Sequence, residues 1–467
     1  MHIDLARYTR YLTYFYLVAV PGLVEGVTPL GMHDTARALQ ALLGCVAVSA
    51  WAQTCSFRVS KQTVTMVALG ACWTSLTTLS VWQAHRPLYA ATEASLWLSL
   101  IALAWVFSTT RLDTLTKEVP YVIAAAVFAM VLPELMQIGF AWLSSHPLDA
   151  GYIGRGHASV RHFNHVQTMA LIMGAMVIWY STAPWLRWVA WFGVGFGLAL
   201  VWLTGARSTL LALTIVGVIF LALVPHTTSK WFIRLGIMCI AGIVAYQVFY
   251  VLLPYLLDIK LLIDWSTLNQ REHISSMDTR LTHWTLALNM SLQRPWTGWG
   301  GLHYATQNHV DAAHPHNIIM QWGAEWGWIS VLLAIFTLGS CLLGNFKSTW
   351  QRFKGKPWEL SPLVTAAWMA TIAGLFDAML SGTLTMPVSQ VFWMFCLGIS
   401  NANNFQSNNT TRLVGSKTAL LTSIVFSTIM VTLMISTYTE TLIHSQTEPS
   451  EPRTNKPRLW LIGNIVM

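Results

Sequence analysis

The stretch His314-Pro315-His316-Asn317-Ile318-Ile319-Met320-Gln321-Trp322-Gly323-Ala324-Glu325 opens an apolar run that continues to about residue 344. Pro315 suits the first turn of a helix, because its missing N–H would have no partner there anyway. His316 then belongs to that first turn, where the positive end of the helix dipole disfavours imidazolium. A neutral ring able to accept a proton at about pH 7 is expected. Asn317, Gln321 and Glu325 recur every four residues and make one polar stripe on an otherwise apolar helix. Such a stripe cannot face lipid comfortably, so the helix belongs to a bundle and turns that face inward.

The rest of the chain has the same character. It has 467 residues, 54% of them hydrophobic and 10% charged, with a mean hydropathy of +0.51. These values fit a chain that crosses a bilayer repeatedly and exclude an ordinary soluble domain. Spanning about 30 Å of hydrocarbon takes about twenty apolar residues. Runs of that kind lie near 11–30, 36–57, 62–84, 92–112, 119–143, 165–183, 185–204, 208–225, 231–254, 317–344, 362–380, 386–402 and 418–437. The expected fold is an all-α polytopic membrane bundle of about 12–13 transmembrane helices, the pair around Pro387 being two spans or one broken helix. Residues 1–254 form the N-terminal helices, 255–315 a long loop with short helices, 316–437 the C-terminal helices and 438–467 a short tail. The 24 Trp and 13 Tyr suit anchoring at the headgroup level. Met1 to Arg10 is short and basic, but the run after it lacks a clear small-residue cleavage site, so no cleavable signal is expected. All six cysteines lie in or beside apolar runs and read as core residues.

The net charge of +8 carries no basic run interleaved with aromatics, which sets nucleic acid aside. Its distribution reports orientation instead. If the spans alternate, Arg7, Arg10, Arg58, Lys61, Arg111, Lys117, Lys230, Arg234, Lys347, Arg352, Lys354 and Lys356 all fall on one side, which makes that side cytoplasmic. Three segments on the far side carry arginine against this trend: 144–164, the turn Thr204 to Thr209, and the connection from about Tyr255 to Ala313. Positive charge there costs insertion efficiency, so anionic work for it is a reasonable reading. The long connection has an amphipathic stretch, Asp278 to Leu292, expected to lie as a helix along the interface. A loop this long without domain composition is usually functional.

A lone far-side arginine is most often an interfacial snorkel, and a lone histidine at a helix start is most often structural. Arg207 resists the bland reading, since it sits in a Gly-Ala-Arg-Ser turn between apolar spans with no acidic partner near in sequence. Arg161 and Arg280 are intermediate, and Arg155, Arg271 and Arg294 weaker. Gly298-Trp299-Gly300-Gly301 lacks the lysine of a P-loop and reads as a turn permitting close backbone approach. Glu25, Glu134 and Asp377 lie in or near spans, where buried pairing is the default. His-x-His with no carboxylate at ligand spacing argues against metal. Arginines offer planar bidentate donors to phosphate, and a neutral histidine offers a base. The combination suits group transfer from a lipid-linked pyrophosphate, where charge accumulates on the departing phosphate.

Four blocks carry a resemblance: Arg161-His162-Phe163-Asn164-His165-Val166-Gln167, Thr204-Gly205-Ala206-Arg207-Ser208, Arg294-Pro295-Trp296-Thr297-Gly298-Trp299-Gly300, and His314-Pro315-His316-Asn317 with Glu325-Trp326-Gly327. Together, over roughly residues 120–400, they resemble the signature blocks of the bacterial O-antigen ligase superfamily. The resemblance implies a metal-independent, cofactor-free, inverting glycosyltransferase of the bacterial inner membrane with a periplasmic active site. It would move O-antigen polysaccharide from undecaprenyl diphosphate to a sugar hydroxyl of lipid A-core. By the same resemblance, Arg161, Arg207 and Arg280, with Arg155 assisting, would bind the pyrophosphate. His316 or His314 would be the base, with Asn317, Gln321 and Glu325 in support, and Arg271 and Arg294 could serve the acceptor. Membrane lipids complete the expected partners. O-antigen polymerases and protein O-oligosaccharyltransferases share the donor, and the short tail disfavours the latter. A transporter of an anionic lipid is the alternative from another class. Its site would lie near the midplane within inverted repeats, whereas the polar blocks here gather on one face.

Overall fold

The computed structural model describes residues 4–22, 30–54, 61–149, 153–154, 157, 159–223, 225–262, 277–306, 312–355, 361–402, 416–447 and 459–460. Glu25, Arg155 and Arg271 therefore lie outside the described residues. The first helices are α1 (Leu5–Gly22), α2 (Met32–Thr54), α3 (Lys61–Gln83), α4 (Pro87–Thr109), α5 (Leu112–Ser144), α6 (Val160–Tyr180), α7 (Pro184–Leu203) and α8 (Arg207–Leu223). After them α9 (Pro225–Tyr246) runs through a π-helical turn (Gln247–Leu252) into α10 (Leu253–Leu256). The connection that follows carries α11 (Met277–Gln293) and a 3-10 turn (His303–Thr306). The chain then forms α12 (Ile318–Gly355), α13 (Pro362–Ala378), α14 (Pro387–Ser400) and α15 (Ser416–Thr447). Two short strands, β1 (Leu148–Asp149) and β2 (Leu261–Leu262), pair in parallel and clip the α5–α6 connection to the exit of α10.

Within the described residues, every apolar window read from the sequence overlaps a helix, and the pair around Pro387 resolves into two. Among the described residues, seven helical stretches are long and apolar enough to cross a membrane: Met32–Thr54, Pro87–Thr109, Leu112–Ser144, Pro184–Leu203, Gly236–Leu256, Ile318–Gly344 and Thr418–Ile443. Arg207–Ala222, Pro362–Ala378 and Pro387–Ser400 are apolar but shorter. The fold is an all-α, multi-pass membrane bundle. The α6 helix is missing from both groups because it carries Arg161, His162, Asn164, His165, Gln167 and Thr168, yet every residue from Phe163 to Ile178 is buried. Its polar side chains meet protein rather than lipid. The amphipathic stretch in the long connection is likewise helical, as α11, within a residue of the expected bounds.

Local sequence explains the helix starts. Proline occupies the first turn of α4, α7, α13 and α14, where no backbone hydrogen bond is lost. Ser159 caps α6, its Oγ accepting from the His162 N–H at 3.4 Å. In lipid, helices associate through close packing more than through exclusion of water. A Cβ on Gly193 of α7 would stand 2.8 Å from Val127 Cγ2 and 2.9 Å from the Val127 carbonyl carbon of α5. The core thus has α6 at its centre, packed on α5, α7 and α13, with the almost wholly buried α14 against α4 and α13.

At one end of the bundle, α12 kinks at Gly327 (φ 78, ψ 161). The glycine-rich turn after Pro295 fits into that kink. The Trp299 N–H donates to the Ala324 carbonyl at 3.0 Å, Gly300 N–H to Glu325 at 2.8 Å, and Trp328 N–H to Pro295 at 2.8 Å. Gly298 has φ +66, and a Cβ there would run into the Glu325 backbone and lie 2.6 Å from Trp326 N. The close approach read from the sequence is therefore to backbone of α12. Gly298→Ala should lower the melting temperature of the purified protein, because left-handed strain costs about 1–2 kcal/mol and the clash adds to it. Gly70→Ala, in open space on α3, should be neutral or stabilising; similar losses in both would count against the interlocked turns.

Candidate active site

The site is built at the start of α12. The sequence reading put Pro315 and His316 in the first helical turn, and the structure corrects this. Asn317 is the cap: its Oδ1 accepts from the Ile319 and Met320 N–H groups, both at 3.1 Å. An asparagine oxygen satisfies donors that would otherwise be orphaned, which makes it the stronger place to begin. His316 is left in the loop ahead with a left-handed backbone, φ 55. The helix dipole is thus not what neutralises its ring. Burial is the largest cause, followed by the positive charge of Arg161 and then by His283 and Arg280, and together they push His316 down to about 3.

The two histidines of the block are not equivalent. His314 is buried, 6% exposed, and its Nδ1 accepts the His316 N–H at 3.2 Å. That contact places the His314 proton on Nε2. The Nε2 edge lies against Gly382, in the turn between α13 and α14. The Trp284 indole donates to the Pro315 carbonyl at 2.9 Å and fixes the loop from the other side. His316 is only partly buried. Its ring centroid lies 4.4 Å from that of His314, nearly perpendicular, and 6.1 Å from that of His283. His314 positions the loop, and His316 presents its ring.

The expected arginines arrive from separate elements. Arg161 is exposed on the first turn of α6, and Arg280 is half-buried on α11; both charges act on His316. Arg207 is exposed at the start of α8. Its turn is fastened to α6: Thr204 Oγ1 donates to Asn164 Oδ1 at 3.1 Å, and Thr209 Oγ1 to the Asn164 carbonyl at 3.3 Å. This sets Arg207 at the same helix end as Arg161. Arg294 does other work, donating to the Gln83 carbonyl at 2.9 Å and lying 4.2 Å over the Trp299 ring.

The polar stripe faces inward and acts as scaffold. Glu325 is fully buried; its Oε2 accepts from Gln321 Nε2 at 3.3 Å and its Oε1 from the Tyr304 N–H at 3.1 Å. The Tyr304 hydroxyl meets His283 Nδ1 at 3.0 Å, which ties the stripe to the rings around His316. Asp377 accepts from Thr383 Oγ1 at 2.5 Å and from Thr168 Oγ1 at 3.2 Å, joining α13 to α6. Glu134 accepts the Gly154 N–H at 2.8 Å. Both acids are buried and bonded, the default read for them. The sequence reading did not single out His283; its place three residues after Arg280 on the same helix face was the available signal. Among the described residues, no three His, Cys, Asp or Glu side chains gather as ligands for a metal ion.

His157 is also pushed down to about 3, by burial. A depressed imidazole stays neutral in the fold while the unfolded chain takes up a proton near the usual 6.5. Folding stability from these rings is complete above that value and falls as pH drops toward 3. The melting temperature should therefore decline between pH 7 and pH 5, and less so in a His157→Gln/His316→Gln double variant. Parallel declines in the two proteins would remove these rings as the cause.

Residues 192–336, from within α7 to within α12, match the family model described as O-antigen ligase. No curated protein matches the sequence significantly. The matched stretch contains Arg207, Arg280, His314, His316, Gln321 and Glu325, and over residues 192–336 the chain is similar to the O-antigen ligase family.

Proposed function

We propose that the protein is an inner-membrane O-antigen ligase that moves O-antigen polysaccharide from undecaprenyl diphosphate to a sugar hydroxyl of lipid A-core at the periplasmic face. The observation that carries the reading is that Arg161 on α6 and Arg280 on α11 both bear electrostatically on the partly buried ring of His316 and disfavour its protonation. The family supports a glycosyltransferase-like enzyme acting on polysaccharide and lipid substrates.

In this mechanism the acceptor hydroxyl gives its proton to the neutral ring of His316, and its oxygen bonds to the anomeric carbon of the donor sugar. The bond from that carbon to the pyrophosphate oxygen breaks, the electron pair leaves with undecaprenyl diphosphate, and in-line attack inverts the anomeric centre. Arg161, Arg280 and Arg207 hold the departing charge, with planar donors that need no proton bookkeeping. An anionic donor offsets Arg161 and Arg280 and so raises the basicity of the ring when the substrate pair is in place.

His316→Ala should reduce transfer by about 10²–10⁴-fold, the range for a general base, and His314→Ala by less, since that ring acts through the loop. Equal and mild effects would leave neither ring as the base. Arg207→Ala should lose transfer at an unchanged level of membrane protein. Arg161→Gln should move the acid limb of its residual activity to higher pH, because removing a positive charge makes His316 more basic; an unmoved limb would break the link between the two residues. Transfer between purified lipid-linked donor and lipid A-core in EDTA tests the whole reading. Lipopolysaccharide banding in a strain lacking the gene separates ligation, which leaves unextended core, from polymerisation, which leaves core bearing one repeat.

A further inference from the structure

A second site lies at the opposite end of α6 from Arg161. The 21 residues of that helix, rising about 1.5 Å each, separate the two ends by roughly 30 Å. There the end of α6, the start of α7 and the middle of α9 border an open cleft of about 530 Å³ lined by Ile178, Trp179, Pro184, Arg187, Trp188, Trp191 and Ile237. The volume falls within the range of small-molecule sites. Its walls are three indoles and aliphatic side chains, with the Trp179 and Trp191 rings 6.5 Å apart and inclined by 56°. One charged group lines it, the exposed Arg187, which takes part in none of the ion pairs among the described residues.

We propose that this cleft binds an anionic glycerophospholipid, its phosphate on Arg187 and the start of an acyl chain against Trp191, Ile178 and Ile237. Three features select that occupant. Indoles sit at the headgroup level of a bilayer, where one end of the ligand is apolar and the other wet. The lining has a cation and no acid, so its charge complements an anion. The end of the bundle it occupies is the one that the basic residues mark as cytoplasmic, where negative lipid headgroups meet juxtamembrane arginines. A free phosphate ester would leave the aromatic walls unused, and a zwitterionic lipid would bring an ammonium beside Arg187 that opposes the attraction of its phosphate. The site does not depend on the glycosyl-transfer reading and shares none of its residues.

Purified protein in detergent, given equal phosphatidylglycerol and phosphatidylethanolamine, would be followed by native mass spectrometry. One phosphatidylglycerol should be retained in preference, and glycerol phosphate at the same concentration should not displace it. Arg187→Gln should weaken retention by about tenfold, the scale of one charge-assisted hydrogen bond, Arg187→Lys should keep most of it, and Trp191→Ala should lose it. Equal retention of the two lipids, displacement by glycerol phosphate, or unchanged retention in Arg187→Gln would each overturn the proposal. Because Arg187→Gln and Arg187→Lys differ only in side-chain charge and length at an exposed position, their comparison remains decisive if Trp191→Ala fails to fold.

Discussion

Positive charge at the rim of a membrane bundle acts on a partly buried imidazole, and the rest of the structure is arranged to hold the two together. In water a guanidinium and an imidazole at this range would scarcely influence one another, because solvent screens the field. Around His316 burial itself disfavours the protonated ring and also reduces the screening, so the charges of Arg161 and Arg280 add to that effect. A neutral ring accepts hydrogen bonds and protons, and the same cations attract the charge that a departing phosphate must shed.

Holding that arrangement requires rigid support, and it comes through short polar contacts in an apolar surround. Asn317 fixes where α12 begins. Glu325, about two turns further along the same face, anchors the turn bearing Tyr304, which in turn meets His283. The interlocked glycines at 298 and 327 let that turn reach the helix backbone at all. On the other side Asp377, Thr168 and Thr209 bind α13, α6 and α8 into one block, so the ends that carry Arg161 and Arg207 are set by contacts deeper in the bundle. Each contact is a modest net stabilisation alone; their value lies in allowing one geometry.

Much of this was legible in the sequence because the relevant signals are local. Hydropathy and length located the long apolar helices among the described residues, since a span must satisfy its own backbone in lipid. The amphipathic pattern of Asp278 to Leu292 gave α11, and the four-residue stripe on α12 correctly turned inward. The difference at His316 also has a local origin: Pro315 is a start signal, but Asn317 competes with it and prevails by bonding two orphan donors. What the sequence could not reveal was non-local. Nothing near Gly382 in the chain announces that His314 will rest on it. The partnership of Asp377 with Thr168, and the arrival of His283 beside His316, arise only when α6, α11 and α13 are packed. The roles of the arginines rested on resemblance, because spacing alone cannot tell a phosphate ligand from a snorkel; Arg294, bonded to Gln83 and stacked on Trp299, shows how the two differ once neighbours are known.

The most direct test of the central claim is an experimental structure with undecaprenyl diphosphate bound. The account predicts the two phosphates within hydrogen-bonding distance of Arg161 and Arg280, on the side of the His316 ring, with Arg207 completing the cradle. Diphosphate bound elsewhere, or guanidinium groups turned away from it and from His316, would contradict the account.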